Sequence, residues 1–236
     1  MHVAIVTIGD ELLAGRTTNT NATWLCSQLT ERGVDVERVT TLPDRVADIA
    51  RVVNEYHAEY DAVIVTGGLG PTHDDVTIEA IGAAFGRPLE EHEAVLEWLE
   101  TEGGYAREDL TDGTAMLPSD ARPLHNVAGV APGCVIGSVY VFPGVPHEMK
   151  PMFEGVATEF SGQERFREVV VADEPESALL DRLAELQQRF DVGVGSYPGE
   201  HVRISVQSTD RRTVEEAVDW LRDQVKTVAV TENGDS

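Results

Sequence analysis

The stretch TGGLGPTHDDVTIEAIG, residues 66–82, sets a glycine-rich turn directly ahead of two aspartates. Gly67 and Gly68 allow a sharp turn with positive φ, and Gly70 lets a ligand approach the backbone closely. Asp74, Asp75 or Thr77 can cap the helix that follows, whose amino end carries partial positive charge and unpaired N–H groups. Together with Thr72 at the end of the turn, these features make an anion site. It is not a P-loop, because no GK[ST] follows. It is not a GxGxxG dinucleotide fingerprint either, because His73 stands where a glycine is required. Helix capping alone is the simpler account, but it needs only one of the two acids. An adjacent pair would repel an anion unless a divalent cation bridged carboxylate and phosphate oxygens, as Mg²⁺ does through one or two carboxylates. Asp74 and Asp75 are therefore the candidate metal ligands and catalytic residues.

Two further stretches carry polar residues suited to the same ligand. In IGDELLAGRTTNTN, residues 8–21, Gly9, Asp10 and Glu11 leave an apolar run, and Asn19 and Asn21 can bond sugar hydroxyls or a heterocycle. Either asparagine can instead cap a helix, and Arg16 can meet a phosphate or any of the many acids. In FPGVPHEMKPMF, residues 142–153, Pro143, Gly144 and Pro146 form a stiff loop of the kind that walls a pocket. Lys150, one of only two lysines, is a candidate phosphate contact. His73 and His147 are acid–base candidates or solvent-facing loop residues. No HExxH, serine-triad or zinc-ligand spacing is present.

These residues need a scaffold that brings distant loops to one place. HVAIVTI (2–8), DVERVTTL (35–42) and DAVIVT (61–66) read as strands. Between and after them, Ala22, Leu25, Cys26 and Leu29, then Val46, Ile49, Val53 and Tyr56, then Ile78, Ile81 and Phe85 fall at helical spacing. Alternating strands and helices with short joins imply parallel strands with crossover helices, and buried parallel strands are apolar throughout. The fold class expected is α/β, a three-layer doubly wound and mostly parallel sheet, with ligands beyond the carboxyl ends of the strands. A helix is expected over 89–104, a polar excursion over 105–128, a hairpin turning near Gly137 and Ser138, and a helix from Pro146. SGQE, 161–164, reads as a domain boundary. Past it come a strand (166–172), a helix (176–190), strands near 192–197 and 201–207 and a helix (213–226), a small α+β unit ending in a frayed TENGDS tail.

The composition bounds the partners. With 236 residues and 42% hydrophobic content, the chain can bury a sizeable core. No run approaches the roughly 18 apolar residues of a membrane span, and the amino terminus does not read as a signal peptide. The only cysteines, Cys26 and Cys134, lack CxxC spacing and read as reduced structural thiols, which points to a cytoplasmic location. The net charge of −24 comes from 42 acids against 18 bases, dispersed over every expected helix. Two readings stand: a cation-binding or polyanion-avoiding protein, or adaptation to molar salt, where the Debye length is about 3 Å. The scarcity of lysine fits the second better. On either, nucleic acid is a poor partner.

Four stretches, IGDELLAGRTTNTNATWL (8–25), TGGLGPTHDDVTIEA (66–80), APG (131–133) and PGVPHEMKPMF (143–153), resemble in order and spacing the CinA family, whose amino-terminal domain has the molybdopterin-binding MoaB/Mog-like fold. The resemblance covers residues 1–160, and residues 165–230 look like the KH-like domain that follows in CinA proteins, with YPGEHVRISVQS as the best segment. It implies a homo-oligomer and divalent-metal-dependent (Mg²⁺ or Co²⁺, with K⁺ a further ion) hydrolysis of ADP-ribose or a related nucleotide pyrophosphate. The alternatives it leaves open are molybdopterin binding or adenylyl transfer, with pterin phosphate in the glycine turn, and a non-catalytic nucleotide-binding module. Asp75 matches the aspartate of the family's TGG-loop motif. Asp10 stands where the family often has threonine, and the KH-like segment lacks a GxxG clamp. The family's carboxy-terminal deamidase domain has no counterpart here, so that activity is not transferred.

Overall fold

A computed structural model describes residues 1–70, 72, 74–111 and 113–228. It divides into two compact units, Met1–Gly162 and a second beginning at Gln163. His73 and the TENGDS tail lie outside the described residues.

In the first unit, β1 (His2–Ile8) is followed by a short α1 (Asp10–Leu13), then α2 (Thr20–Glu31), β2 (Asp35–Leu42), α3 (Val46–Glu59), β3 (Ala62–Thr66) and α4 (Thr77–Phe85). Next come β4 (Leu89–Glu91), α5 (Glu93–Thr101), β5 (Met116–Pro118), β6 (Arg122–Leu124), β7 (Gly133–Ile136), β8 (Val139–Phe142) and α6 (Pro146–Val156). Six strands form one sheet in the order β2-β1-β3-β8-β7-β6. Pairs β1–β2, β1–β3 and β3–β8 are parallel, and the β7–β8 and β6–β7 pairs are antiparallel. The sheet is thus mostly parallel, as expected, and the hairpin turns at Gly137, whose φ of 57° is the left-handed conformation glycine tolerates.

Alternation along the buried strands feeds two cores. Ala4, Val6, Ile8, Val63, Val65, Val139 and Val141 face α3, α4 and α5, where Ile49, Val53, Ile81 and Leu99 are buried. Val3, Ile5, Ile64, Tyr140 and Phe142 face α2 and α6, where Leu25, Leu29, Met149 and Phe153 are buried. These are the three layers of a doubly wound α/β unit, and each fully buried Ile or Leu contributes about 1.5–3 kcal/mol. Helix α2 begins where Asn19 Oδ1 accepts the Ala22 N–H and ends at Gly33, with φ 72°. Cys134 is fully buried on β7 and Cys26 half-buried on α2; both are free thiols, and burial pushes Cys134 up to about 12.

Three expectations are corrected. Residues 89–104 do not form one helix, because Leu89–Glu91 pairs with β5 and the helix starts only at Glu93. The excursion over 105–128 contains the short strands β5 and β6. Neither aspartate nor Thr77 caps α4: Val76 occupies that place without a side-chain bond, and the Thr77 hydroxyl is committed to Gly67 O at 2.8 Å.

In the second unit, β9 (Phe166–Ala172), α7 (Glu176–Arg189), β10 (Gly193–Tyr197), β11 (Val202–Ser208) and α8 (Arg211–Gln224) form an α+β unit whose antiparallel sheet has the order β10-β11-β9. Its own core joins Val170, Val202, Ile204 and Val206 to Leu179, Leu183 and Leu186 of α7 and Val214, Val218 and Leu221 of α8. Among the described residues no helix is long and apolar enough to cross a membrane.

Candidate functional site

Because β1, β2, β3 and β8 are parallel, their carboxyl ends share one rim of the sheet, and the loops leaving them meet there. The segment before β7 arrives at the same rim, since β7 runs antiparallel to β8. Gly9, Asp10, Glu11, the 67–76 turn and the 143–146 loop are therefore brought together, as is APG (131–133).

The seam between the β3 and β8 loops is held by buried hydrogen bonds. Gly67 N–H donates to Phe142 O at 3.1 Å, and the Thr66 hydroxyl donates to Pro143 O at 2.9 Å. Asn21 Nδ2 donates to Gly144 O at 2.7 Å and to Thr66 Oγ1 at 3.2 Å. Gly144 fits so closely that a Cβ there would stand 3.2 Å from Gly67 Cα. Gly67 has φ 110°, and a Cβ on it would collide with the Ile8 carbonyl oxygen. Asn19 is engaged as the α2 cap and, through Nδ2, with Thr7 Oγ1 at 2.9 Å. Both asparagines thus position the rim; the one atom left over is Asn21 Oδ1, buried without a hydrogen-bond partner.

The glycine turn lies between two carboxylates. At its start, a Cβ on Gly68 would lie 3.6 Å from Asp44 Oδ1; at its end, a Cβ on Gly70 would lie 2.6 Å from Asp75 Oδ2. Asp75 Oδ2 accepts from Thr72 N–H at 3.0 Å and from the Thr72 hydroxyl, which folds the turn back on itself. Asp74 is exposed beside it. Asp44 Oδ2 accepts the Asp10 N–H at 2.8 Å, so the end of β2 is tied to the start of α1. Burial first, and then the charges of Asp10, Glu11 and Asp75, push the Asp44 carboxyl above its usual range, against the lowering effect of the Asp10 N–H. Asp44 thus feels three other acids gathered around the turn.

Gly67 and Thr72 spend their N–H groups within the fold, whereas those of Gly68, Leu69 and Gly70 donate to no other group among the described residues. The donors left for an anion are these three N–H groups, fewer than the sequence suggests. Among the described residues no three acid, histidine or cysteine side chains are gathered into a preformed metal cage. The hard oxygen donors at the turn nevertheless suit a Mg²⁺-like ion that completes its shell with substrate phosphates and water.

Asp44 is the candidate site residue that sequence reading missed. It stands in the segment LPDR, where Pro-Asp before an apolar-periodic helix reads as a turn; only the β2–β1–β3 strand order carries it to the glycine turn. Other candidates are placed differently. Lys150 Nζ stands 5.5 Å from the centroid of the Trp24 ring, so its recorded contact is an aromatic face. Pro143 is buried, Pro146 opens α6, and His147, Gly144 and Arg16 are exposed. The 125–132 loop is clamped by Asn126, whose Nδ2 donates to Glu148 Oε2 at 2.7 Å and to Ala131 O at 3.0 Å.

Comparison with known proteins gives the family of each unit. Residues 4–162 match the family model described as a probable molybdopterin binding domain, and residues 165–233 match one described as FAD synthase, middle domain. A Thermococcus kodakarensis protein is 37% identical over 241 residues, spanning 94% of this chain and 96% of its own. A protein of Archaeoglobus fulgidus is 37% identical over 220 residues, spanning 92% and 95%. The crystal structure of CinA from Thermoplasma acidophilum, a protein described there as of unknown function, superposes with a TM-score of 0.62 at 33% identity, covering 68% of this chain and 99% of that one. The chain belongs to the family with the probable molybdopterin-binding, MoaB/Mog-like domain, and within it is CinA-like. The second unit, for which the resemblance implies a KH-like domain, matches the FAD synthase, middle domain model.

Proposed function

We propose that the first unit is a divalent-metal-dependent nucleotide pyrophosphatase acting on ADP-ribose or a related nucleotide diphosphate. The observation that carries this reading is the glycine turn set between Asp44 and Asp75, with the N–H groups of Gly68, Leu69 and Gly70 left for an anion. Asp75 and Asp44 would hold the cation, Mg²⁺ or Co²⁺, with Asp74 exposed at the same turn as the next ligand. Such a cation supplies charge neutralisation at the pyrophosphate and a water of lowered pKa. The chain's own residues do the rest. The 68–70 N–H groups meet phosphate oxygens, where developing negative charge is stabilised without reorganisation. Asn21 and Thr66 fix the 143–146 loop against that turn, so the substrate meets a rigid wall. Water adds across the P–O–P bridge, giving AMP and ribose 5-phosphate.

Molybdopterin binding or adenylyl transfer is the second reading, favoured by the description of the family model. It uses the same N–H cradle for pterin phosphate.

The test is incubation of the folded chain with ADP-ribose and Mg²⁺ or Co²⁺ in molar KCl, with AMP and ribose 5-phosphate quantified. Metal-dependent cleavage that falls ~100-fold or more in Asp75→Asn is the expected result. Absence of cleavage by folded wild-type protein overturns the hydrolase, and tight pterin binding in that event selects the second reading.

A further inference from the structure

The second unit packs both of its helices on one face of its sheet, where Val170, Ala172, Val194, Val202, Ile204 and Val206 meet α7 and α8. Strand alternation puts the intervening residues on the other face. The register aligns them in three rows: Tyr197–Arg203–Val171, Gly195–Ser205–Val169 and Gly193–Gln207–Arg167. None of the nine is acidic and two are arginines, in a chain where acids outnumber bases 42 to 18. Arg167 and Arg203 are exposed, and Arg167 Nε donates to Ser205 Oγ at 2.6 Å, which fixes one guanidinium over the middle row. Tyr197 is 55% exposed, and its ring lies back along its own strand over Gly195, where a Cβ would stand 3.0 Å from both Cε2 and the phenol oxygen. A glycine at 195 is what lets an aromatic ring lie down on this sheet.

We propose that this face binds one nucleoside monophosphate, its base stacked on Tyr197 and its phosphate paired with Arg203 and Arg167. The footprint decides between classes of occupant. Three strands about 4.8 Å apart and five residues at about 3.3 Å give a platform of on the order of 10 by 13 Å. That is roughly 130 Å², against about 800 Å² for each partner in a protein–protein interface. It matches a single nucleotide. A polynucleotide would need its successive phosphates neutralised, which a chain of net charge −24 opposes. Base–aromatic stacking with arginine beside it is the physics by which open sheets hold single bases. Its residues all belong to the second unit, whereas those proposed to hold the metal belong to the first.

The experiment is equilibrium dialysis of the full chain with AMP, in EDTA, at the lowest KCl concentration at which circular dichroism shows it folded. Adenosine and ribose 5-phosphate serve as half-ligands. Saturable AMP binding that weakens at least fivefold in Tyr197→Ser and in Arg203→Ala, and is retained in Tyr197→Phe, is the expected result; each half-ligand binds more weakly than AMP. ADP-ribose turnover measured in the same variants stays at the wild-type rate, so this proposal and the hydrolase fail separately. AMP binding indifferent to both substitutions in folded variants overturns the assignment. So does an adenylate oligonucleotide that binds far more tightly than AMP, which would make the face a single-strand platform.

Discussion

Asp44 is a carboxylate whose surroundings favour its neutral form. Burial and the neighbouring charges of Asp10, Glu11 and Asp75 raise its pKa above the ordinary 3.8. A raised carboxyl adds stability that is fully present below the unfolded value and lost as pH rises through the folded one. At neutral pH the ionised group is therefore a local liability that a neutral amide would relieve. Asp44→Asn is expected to raise the melting temperature by about 1–3 °C near pH 7 and to give no gain below about pH 3.8. Thermal melts across that pH range check it, and an equal or larger gain at acid pH would contradict it. Divalent cation should reverse the order, stabilising wild-type protein more than the variant, because the acids gathered at the turn are then an asset. None of this is visible in the segment LPDR, where the aspartate looks like an ordinary helix-entry residue.

Elements follow the sequence where burial dictates the pattern. Strands β1, β2 and β3 and helices α2, α3 and α4 were legible because each has enough residues to show an apolar run or a helical stripe, here Ile49, Val52, Val53 and Tyr56 on α3. The strands β4, β5 and β6 were not, because three residues carry no period and Pro118 and Pro123 read as loop. The carboxyl-edge location of the site was legible from the alternation of strands and helices. The division of labour within it was not: Asn19 and Asn21 invited a ligand, and the fold uses their amides to join α2, β1, β3 and the 143–146 loop. Thr66 is the hub of that seam, donating to Pro143 O while accepting from Asn21. Thr66→Val keeps the shape and removes both bonds inside a buried site. We expect it to cost about 1–3 kcal/mol in urea unfolding and to lower any turnover by loosening the wall opposite the turn. A fully stable variant would show that backbone packing alone holds the two loops.

At the scale of the molecule, charge dominates. A chain of −24 with only Lys150 and Lys226 as lysines repels itself, and its ion pairs, such as Arg51–Glu55 and Arg212–Glu216, are mostly exposed and individually weak. Screening should help it: raising KCl from about 0.1 to about 2 M is expected to increase the melting temperature, followed by circular dichroism, whereas a flat or falling response would remove the case for salt adaptation. The antiparallel β7–β8 pair adds a further consequence. Its turn at Gly137 and Ser138 sits on the rim opposite the chemistry, beside the carboxyl end of α3, where His57 Nδ1 lies 3.0 Å from Ser138 Oγ. The exposed glycine of that tip lies at the opposite end of the sheet from the candidate site. It is no free handle, however: a Cβ on Gly137 would stand 2.9 Å from His57 Cε1, so a label or tether attached there would push into the packing that closes the hairpin.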